Sequence, residues 1–332
     1  MMAQLTEEFE EDILETYQVV ITKEYLKKYR RLDQLLTEVS EGLSRSIVKK
    51  LFLKGHITSD QKLDLKKMPK EGTKIEISIP VPQDLDVKAE NIPLDIIFED
   101  EHLILINKPA GMVVHPAPGN YTGTLVNAII YHCPDLKGIG NVKRPGIVHR
   151  LDKGTTGIMV VAKDQKTHEG LVKLFSEHNI KREYETLVIG HKMDRTGTLE
   201  SLIGRSPYNR LKMSTKIKNG KDAITHYEVL GYYKHLAHVL VTLETGRTHQ
   251  IRVHFSELLG RPLLNDPLYG NQAGQKKTLP AELVKCYQNY EHPLLHARTL
   301  GFTHPITKKE ILYSVDPPET FKAVLKYEQD NS

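Results

Sequence analysis

The chain has 332 residues and a hydrophobic content of 39%, so its length fits two domains better than one, with enough apolar residues for a core. Its net charge of +4 is on its own only weak evidence for a nucleic-acid partner. The two cysteines, Cys133 and Cys286, form no CxxC pair. That spacing excludes a zinc ribbon or a dithiol redox motif and fits a reducing compartment.

The N-terminal sequence MMAQLTEEFEEDILETYQVV lacks the basic start and apolar core of a signal peptide. No stretch of the chain approaches the roughly 18 apolar residues that span a bilayer. We therefore expect a cytoplasmic protein that does not contact a membrane, with a monomer as the default state.

Charge is distributed unevenly along the chain. Residues 1–25 hold one lysine against seven acidic residues, whereas residues 26–80 hold thirteen Lys or Arg against seven acidic residues. Residues 81–92 carry Pro, Asp and Glu without periodicity, which is typical of a linker. We predict an acidic extension over 1–25, a small basic domain over 26–80, this linker, and a larger domain over 93–326.

Two short helices and a small sheet are predicted in the basic domain. Apolar spacing predicts a helix over residues 29–36, and Ser44 can cap a second helix that ends at Gly55. Alternation over residues 74–79 predicts a strand, which follows a shorter one at 56–58. The segments that begin at Arg31, Ser44 and Lys54 resemble the S4 RNA-binding domain.

The S4 resemblance implies contacts with structured RNA, because phosphate groups favour clustered Lys and Arg side chains. The alternative is a helical cap with a solvated basic face. The candidate RNA-binding residues of this domain are Arg31, Arg45, Lys49 and Lys54.

In the larger domain, predicted strands outnumber predicted helices, and few strand–helix–strand units follow one another. This order favours an α+β fold with a mixed, mainly antiparallel sheet. A hairpin is predicted at 95–98 and 103–106, with further strands at 157–162, 184–189, 223–230 and 237–243 and helices at 124–130, 168–175 and 250–259.

The strongest local signal is RPGIVHRLDKGTTG, from Arg144 to Gly157. Its carboxylate, Asp152, lies in a loop directly before an apolar strand, where reactive groups are common, although an isolated Asp among basic residues is more often a surface ion pair. The segment resembles the HRLDxxTSG signature of the RluA/RluD family of pseudouridine synthases, with Thr156 in place of the usual serine. The resemblance implies that Asp152 is the nucleophile and that Arg150 grips phosphate or fills the space of an extruded nucleotide.

A second motif, LETGRTHQIRVH, runs from Leu243 to His254. Its two histidines, His249 and His254, are five residues apart and would not share a helix face, so we predict no metal site. The segment resembles the TGRTHQIRVH motif of the same family. The resemblance implies that Arg252 forms an ion pair with Asp152 and that Arg247 supports the loop or contacts phosphate.

Further family-like segments cover residues 106–116, 265–270 and 295–298. In the first, Lys108 ends a strand and Gly111 permits a tight turn, so the segment is expected to shape the pocket floor. Tyr184 occupies the place of the family tyrosine that stacks on the target base, which suits a flipped nucleotide. Isomerisation of uridine neither oxidises nor hydrolyses anything, so the resemblance implies no cofactor.

The resemblance therefore implies a pseudouridine synthase fold preceded by an S4-like domain, and an RNA substrate. The 23S ribosomal RNA of the large subunit is the expected target, as for RluD-like members, with transfer RNA as the alternative. Two other functions remain open. One is a non-catalytic RNA-binding protein of this fold, and the other is a hydrolase of N-glycosidic bonds, which would need a second carboxylate to activate water.

Overall fold

The computed structural model describes residues 13–40, 45–80, 87–116, 120, 122–136, 139–141, 144–190, 192–206, 209 and 211–332. Contacts within the chain divide it into two units, Met1–Asp86 and Val87–Ser332. This boundary lies inside the segment predicted as a linker. The finer division into an extension, two domains and a linker stays a prediction.

The first unit packs helices against a three-stranded antiparallel sheet. Its strands β1 (Ile13–Val20), β2 (Ile57–Ser59) and β3 (Lys74–Pro80) lie in the order β1-β3-β2, and its helices are α1 (Lys23–Lys28), α2 (Leu32–Val39) and α3 (Arg45–Leu53). Three leucines of α2 are fully buried in one apolar cluster with Ile75 and Ile77 of β3: Leu32, Leu35 and Leu36. The segment before residue 25 therefore contributes a strand to this sheet. Ser44, the predicted helix cap, lies outside the described residues.

The second unit is built on a ten-stranded sheet. Its strands are β4 (Ile96–Glu99), β5 (Leu103–Lys108), β8 (Thr156–Ala162), β9 (Lys181–Ile189), β10 (Thr196–Arg205), β11 (Met213–Ser214), β12 (Lys221–Tyr232), β13 (Leu236–Leu243), β14 (Leu295–Thr303) and β15 (Glu310–Ser314), while β6 (Gly140–Asn141) and β7 (Arg144–Pro145) form a separate pair. Its helices are α4 (Leu125–His132), a 3-10 turn (Pro134–Leu136), α5 (Gln165–Ser176), α6 (Gln250–Val253), a π-helical turn (His254–Leu258), α7 (Gln272–Thr278), α8 (Ala281–Tyr287) and α9 (Glu319–Asp330).

The sheet order is β11-β10-β12-β13-β9-β14-β8-β5-β4, with β15 beside β14. Only the β8–β14 contact is parallel among the described pairs, so the predicted mainly antiparallel α+β fold is confirmed. Strand β8 is buried along its whole length, which explains its continuous apolar sequence. The predicted hairpin is formed by β4 and β5.

The prediction of one regular α-helix over 250–259 is wrong. Residues 250–253 are α-helical, but the chain then widens into the π-helical turn, in which the Leu259 amide donates to the His254 carbonyl. The His254 ring in this turn contacts Thr225 and Ser201 of the neighbouring strands, at 2.9 and 3.0 Å. None of the described helices combines the length and apolarity needed to cross a membrane.

Candidate active site

The loop before β8 presents Asp152. The Asp152 carbonyl accepts a hydrogen bond from the Thr155 amide at 3.1 Å, and the carbonyl of Lys153 accepts one from Gly111 at 2.8 Å. Gly111 has a φ of +83°, so the predicted tight turn at this position is present. The Asp152 side chain is 17% exposed, and its carboxylate faces a cavity.

Arg252, in the short helix α6, contacts this carboxylate. Its Nη1 lies 3.2 Å from Asp152 Oδ2, while Nε and Nη2 donate to the two oxygens of Asp266 at 2.7 and 2.8 Å. Burial opposes the charge of Arg252, but the hydrogen bonds from Arg252 to Asp266 raise the pKa of Arg252 above its usual value. The guanidinium is thus a fixed cation next to Asp152.

Asp266 is fully buried, and both of its carboxylate oxygens accept hydrogen bonds from Arg252. Its Oδ1 also accepts from the amides of Leu268 and Tyr269, at 2.8 and 3.0 Å. Burial alone would raise the pKa of Asp266, but the bonds to Arg252 hold it below its usual range. Asp266 is therefore an ionised support for Arg252.

His249 and Tyr269 form a second contact beside Asp152. The amide of Met213 donates to Tyr269 Oη at 2.7 Å, and His249 Nδ1 lies 2.9 Å from the same oxygen. The Tyr269 hydroxyl donates to the Met213 carbonyl at 3.3 Å, and His249 Nε2 lies 3.8 Å from Asp152 Oδ2. Burial lowers the pKa of His249 and so favours the neutral ring.

Lys108 lies at the end of β5 and is fully buried. Its Nζ donates to the carbonyls of Pro109, Met112 and Lys153, at 2.8, 3.0 and 3.4 Å. Burial lowers the pKa of Lys108 to about 7, and the charge of Asp152 opposes that shift. Lys108 therefore ties the turn around Gly111 to the loop that carries Asp152.

Asp152, His249 and Arg252 line a cavity of about 640 Å³. Tyr184 of β9 lines it, is 9% exposed, and has a pKa raised by burial. The loop between β13 and α6 forms another wall, held by Gln250, whose Oε1 accepts from the Thr245 hydroxyl and the Arg247 amide, both at 2.9 Å. All five predicted site residues of this unit line the cavity: Arg150, Asp152, Tyr184, Arg247 and Arg252.

Known proteins resemble the chain over almost its whole length. The family model described as RNA pseudouridylate synthase matches residues 102–257. A ribosomal large subunit pseudouridine synthase D of Zymomonas mobilis is 41% identical over 316 residues, covering 94% of this chain and 97% of that protein. An uncharacterised RNA pseudouridine synthase of Aquifex aeolicus is 41% identical over 306 residues, covering 91% and 95%.

The chain belongs to the RNA pseudouridine synthase family. The fold agrees, since the solved structure of human RNA Pseudouridylate Synthase Domain Containing 4 superposes with a TM-score of 0.56 at 28% identity, over 70% of this chain and 92% of that one. The predicted enzyme class, an RNA pseudouridine synthase, is confirmed by these matches.

The residues matched by the family model do not include every residue of the site in this synthase. Asp266 and Tyr269 lie beyond residue 257, and together with His249 and Lys108 they are site residues to which the sequence assigned no catalytic role. The available signals were the motifs NDPLYG at 265–270 and INKPAG at 106–111. These motifs marked the segments without indicating which side chains reach Asp152.

The predicted RNA-binding residues differ in their surroundings. Arg150 is exposed at the cavity, whereas Arg247 is half-buried and its Nε donates to the Asp222 carbonyl at 2.9 Å. In the first unit, Arg31 forms an ion pair with Asp33 at 2.7 Å. The other three predicted residues of that unit are exposed on or just after α3: Arg45, Lys49 and Lys54.

One group of potential metal ligands occurs among the described residues, and it lies outside the cavity lining. Ligand atoms of Glu99, His132 and Cys133 lie within 4.8 Å of one another. Lys163 Nζ already contacts Glu99 at 2.8 Å. Because this ammonium group neutralises the carboxylate, the cluster is explained as a surface ion-pair group.

Proposed function

We propose that this synthase isomerises specific uridines of the large-subunit ribosomal RNA, with Asp152 as the nucleophile. The observation that carries the proposal is the contact of Asp152 with Arg252, at 3.2 Å, inside a cavity that Tyr184 also lines. Arg252 holds a positive charge against the carboxylate that would act as the nucleophile.

The reaction breaks the N1–C1′ bond of uridine and forms a C5–C1′ bond at the same sugar. The proton on C5 is lost and N1 gains one, so atoms and electrons balance without an oxidant, water or cofactor. Asp152 would attack the extruded nucleotide and hold it while the base turns. Extrusion costs a few kcal/mol in lost stacking and pairing.

Tyr184 is suited to hold the base during this rotation. Tyr184 lines the cavity, and burial raises the pKa of its phenol, so the ring is neutral. Stacking of a base on such a ring contributes about 1–3 kcal/mol and tolerates rotation in the plane. Arg150, exposed beside the nucleophile, would occupy the vacated position in the RNA or bind phosphate.

The target is proposed from two observations. The relative from Zymomonas mobilis, named for the ribosomal large subunit, matches 94% of the chain, and the first unit presents the exposed basic residues Arg45, Lys49 and Lys54. We assign this unit, as an S4-like domain, to binding of RNA phosphates. A synthase directed to transfer RNA would show modification of that RNA instead.

A hydrolase of N-glycosidic bonds fits less well. Such an enzyme needs a second carboxylate to activate water. One candidate, Asp266, is fully buried and bonded to Arg252 and to two backbone amides. Asp266 does not line the cavity, so transfer within one nucleotide is favoured over hydrolysis.

The decisive experiment compares wild type, Asp152→Asn and Asp330→Asn on ribosomal RNA and transfer RNA from a strain that lacks the gene. Asp330 is an exposed carboxylate at the end of α9 and serves as the matched control. Pseudouridines are mapped at single-nucleotide resolution, and RNA binding is measured separately. Wild type and the control should restore the same sites, while Asp152→Asn should bind RNA and restore none. Pseudouridine formation by Asp152→Asn would overturn the assignment of the nucleophile, and modification of transfer RNA alone would overturn the target.

A further inference from the structure

A second guanidinium lies in the cavity without a carboxylate partner. Arg182 is on β9, two residues before Tyr184, and is only 7% exposed. Its Nη2 donates to the backbone carbonyls of Leu243 and Glu244, at 3.2 and 2.6 Å, and the group lies over the Phe175 ring at 5.6 Å. None of the described carboxylates lies within ion-pair distance of it. Arg182 is therefore a buried cation without a counter-ion in the described part of the chain.

The hydrogen-bonding capacity of Arg182 is also incomplete. Its Nε is buried and has no partner among the described residues. Arginine keeps its proton even where burial lowers its pKa, as it does here. Buried charges without a paired anion are strongly unfavourable, so such a group is usually matched by a ligand or a specific role.

Arg247 adds a second positive charge on the same wall. Both side chains line the cavity that contains Asp152, and the charge of Arg247 further lowers the pKa of Arg182. Gly246 directly precedes Arg247, and a Cβ atom added there would come within 2.9 Å of Arg182 Nη1. Any side chain at this position would cover the guanidinium edge, and glycine leaves it open.

We infer that Arg182 and Arg247 form a subsite for one phosphate of the RNA backbone next to the target uridine. The phosphodiester is the anion that an RNA substrate brings into this cavity, and guanidinium groups bind phosphate oxygens through paired N–H donors. A phosphate held here would fix the sugar of the extruded nucleotide relative to Asp152. The inference rests on the proposed function and names a binding determinant of that site.

The first test changes the RNA and leaves the protein intact. Short RNAs that contain the mapped target uridine carry one neutral methylphosphonate linkage, placed in turn on each side of that uridine and at distant positions. With wild-type enzyme, one adjacent linkage should lower kcat/KM by at least about tenfold, as loss of a hydrogen bond to a charged group does. Equal effects at adjacent and distant linkages would overturn the subsite.

The second test assigns the sensitive phosphate to these arginines. In Arg182→Gln and Arg247→Gln, the sensitive methylphosphonate should cause little further loss, because the contact is already removed. Arg261→Gln is the matched control, since Arg261 also donates to a backbone carbonyl, that of Lys192 at 3.0 Å, and lies outside the cavity. In that variant the full methylphosphonate effect should persist. If Arg182→Gln does not fold, the half-buried Arg247 still tests the coupling.

The two levels of failure are distinguishable. If wild-type protein forms no pseudouridine in any RNA, the proposed function fails. If pseudouridine forms but the methylphosphonate effect is the same in wild type and in both folded arginine variants, the phosphate subsite alone is refuted.

Discussion

Asp266 binds Arg252 through both carboxylate oxygens, at 2.7 Å from Nε and 2.8 Å from Nη2, and this leaves Nη1 to reach Asp152. The guanidinium plane is thereby fixed by a residue that does not line the cavity. Arg252 also lies over the Tyr269 ring at 5.2 Å. The charge beside Asp152 is thus set by contacts behind it, and Asp266 is a positioning residue.

Asp266→Asn should lower both stability and activity. Removing the charge leaves the buried Arg252 with Asp152, at 3.2 Å, as its one remaining ion-pair partner among the described residues. We expect this to cost about 3 kcal/mol in the free energy of unfolding. The freed guanidinium can rotate away from Asp152, and misplacement of this kind costs about a hundredfold in kcat/KM. Urea denaturation and single-turnover pseudouridine formation measure the two effects.

Glu282→Gln is the control for Asp266→Asn, because Glu282 forms an exposed pair with Lys285 at 2.7 Å. Its loss should change the free energy of unfolding by less than about 1 kcal/mol. Wild-type kinetics in Asp266→Asn would show that Arg252 does not depend on Asp266.

The sequence predicted the roles of the residues that line the cavity better than those of the residues that support them from outside the cavity. Asp152 and Arg252 are 100 positions apart, and only their resemblance to family motifs indicated the pair. No periodicity in a single sequence reports such a long-range contact. Lys108 and Asp266 were visible as parts of motifs, but their contacts depend on turns whose geometry the sequence does not specify.

Strand β14 shows why part of the sheet escaped prediction. It lies at the centre of the sheet between β9 and β8, and it is buried on both faces. Its sequence LHARTLGFT does not alternate, because polar side chains are buried with hydrogen-bond partners. His296, for example, contacts the Thr156 hydroxyl at 2.8 Å and the Val315 carbonyl at 3.0 Å. Alternation identifies strands with one solvated face and misses those with two buried faces.

The buried Lys108 should make stability depend on pH above neutrality. Its pKa is lowered to about 7 when folded, against about 10.4 in an unfolded chain. Between these values the unfolded state binds a proton that the folded state has released, so the free energy of unfolding rises with pH, by at most about 1.4 kcal/mol per unit. Below pH 7 both states are protonated and this contribution to the slope disappears.

Lys108→Met should lose that slope, as measured by urea denaturation at several pH values. It should also be less stable throughout, because the carbonyls of Pro109 and Met112 lose their donor. Lys285→Met, at an exposed lysine, should keep the wild-type slope. An unchanged slope in Lys108→Met would contradict a buried titrating lysine.

His149 should contribute to stability at neutral pH and lose that contribution in acid. Its Nε2 accepts a hydrogen bond from the Val160 amide at 3.0 Å, and its ring stacks on Phe175 at 4.6 Å. Burial lowers the pKa of His149 to about 3. The unfolded chain therefore gains a proton below pH 6.5 that the folded chain does not, and stability falls as the pH falls from 6.5 towards 3.

Replacing His149 by Gln, which can still accept from Val160, should flatten this acid branch of the stability curve. The measurement is the free energy of unfolding between about pH 7 and pH 4, where an unfolded histidine gains its proton and the folded His149 does not. His226→Gln, at a histidine on the solvated side of β12 with 39% side-chain exposure, provides the comparison. Parallel curves for wild type and His149→Gln would show that other groups cause the acid loss.

Gly157 links the Asp152 loop to the sheet, and Gly157→Ala should disrupt both. Its φ is +111°, and an added Cβ would lie 2.2 Å from the Ala297 carbonyl oxygen on β14. The strands must separate at their one parallel contact among the described pairs, which we expect to cost about 3 kcal/mol in the free energy of unfolding. The shift should also lower kcat, because β8 begins four residues after Asp152.

Gly260→Ala is the control that separates the steric clash at Gly157 from the cost of placing an alanine at a positive φ. Gly260 also has a positive φ, +64°, but an added Cβ there would have no atom within 4 Å, so it should cost only about 1–2 kcal/mol and leave kcat unchanged. Thermal unfolding and single-turnover assays on both variants test the difference. Equal losses would mean that the close approach of Gly157 to Ala297 is not what holds the catalytic loop against the sheet.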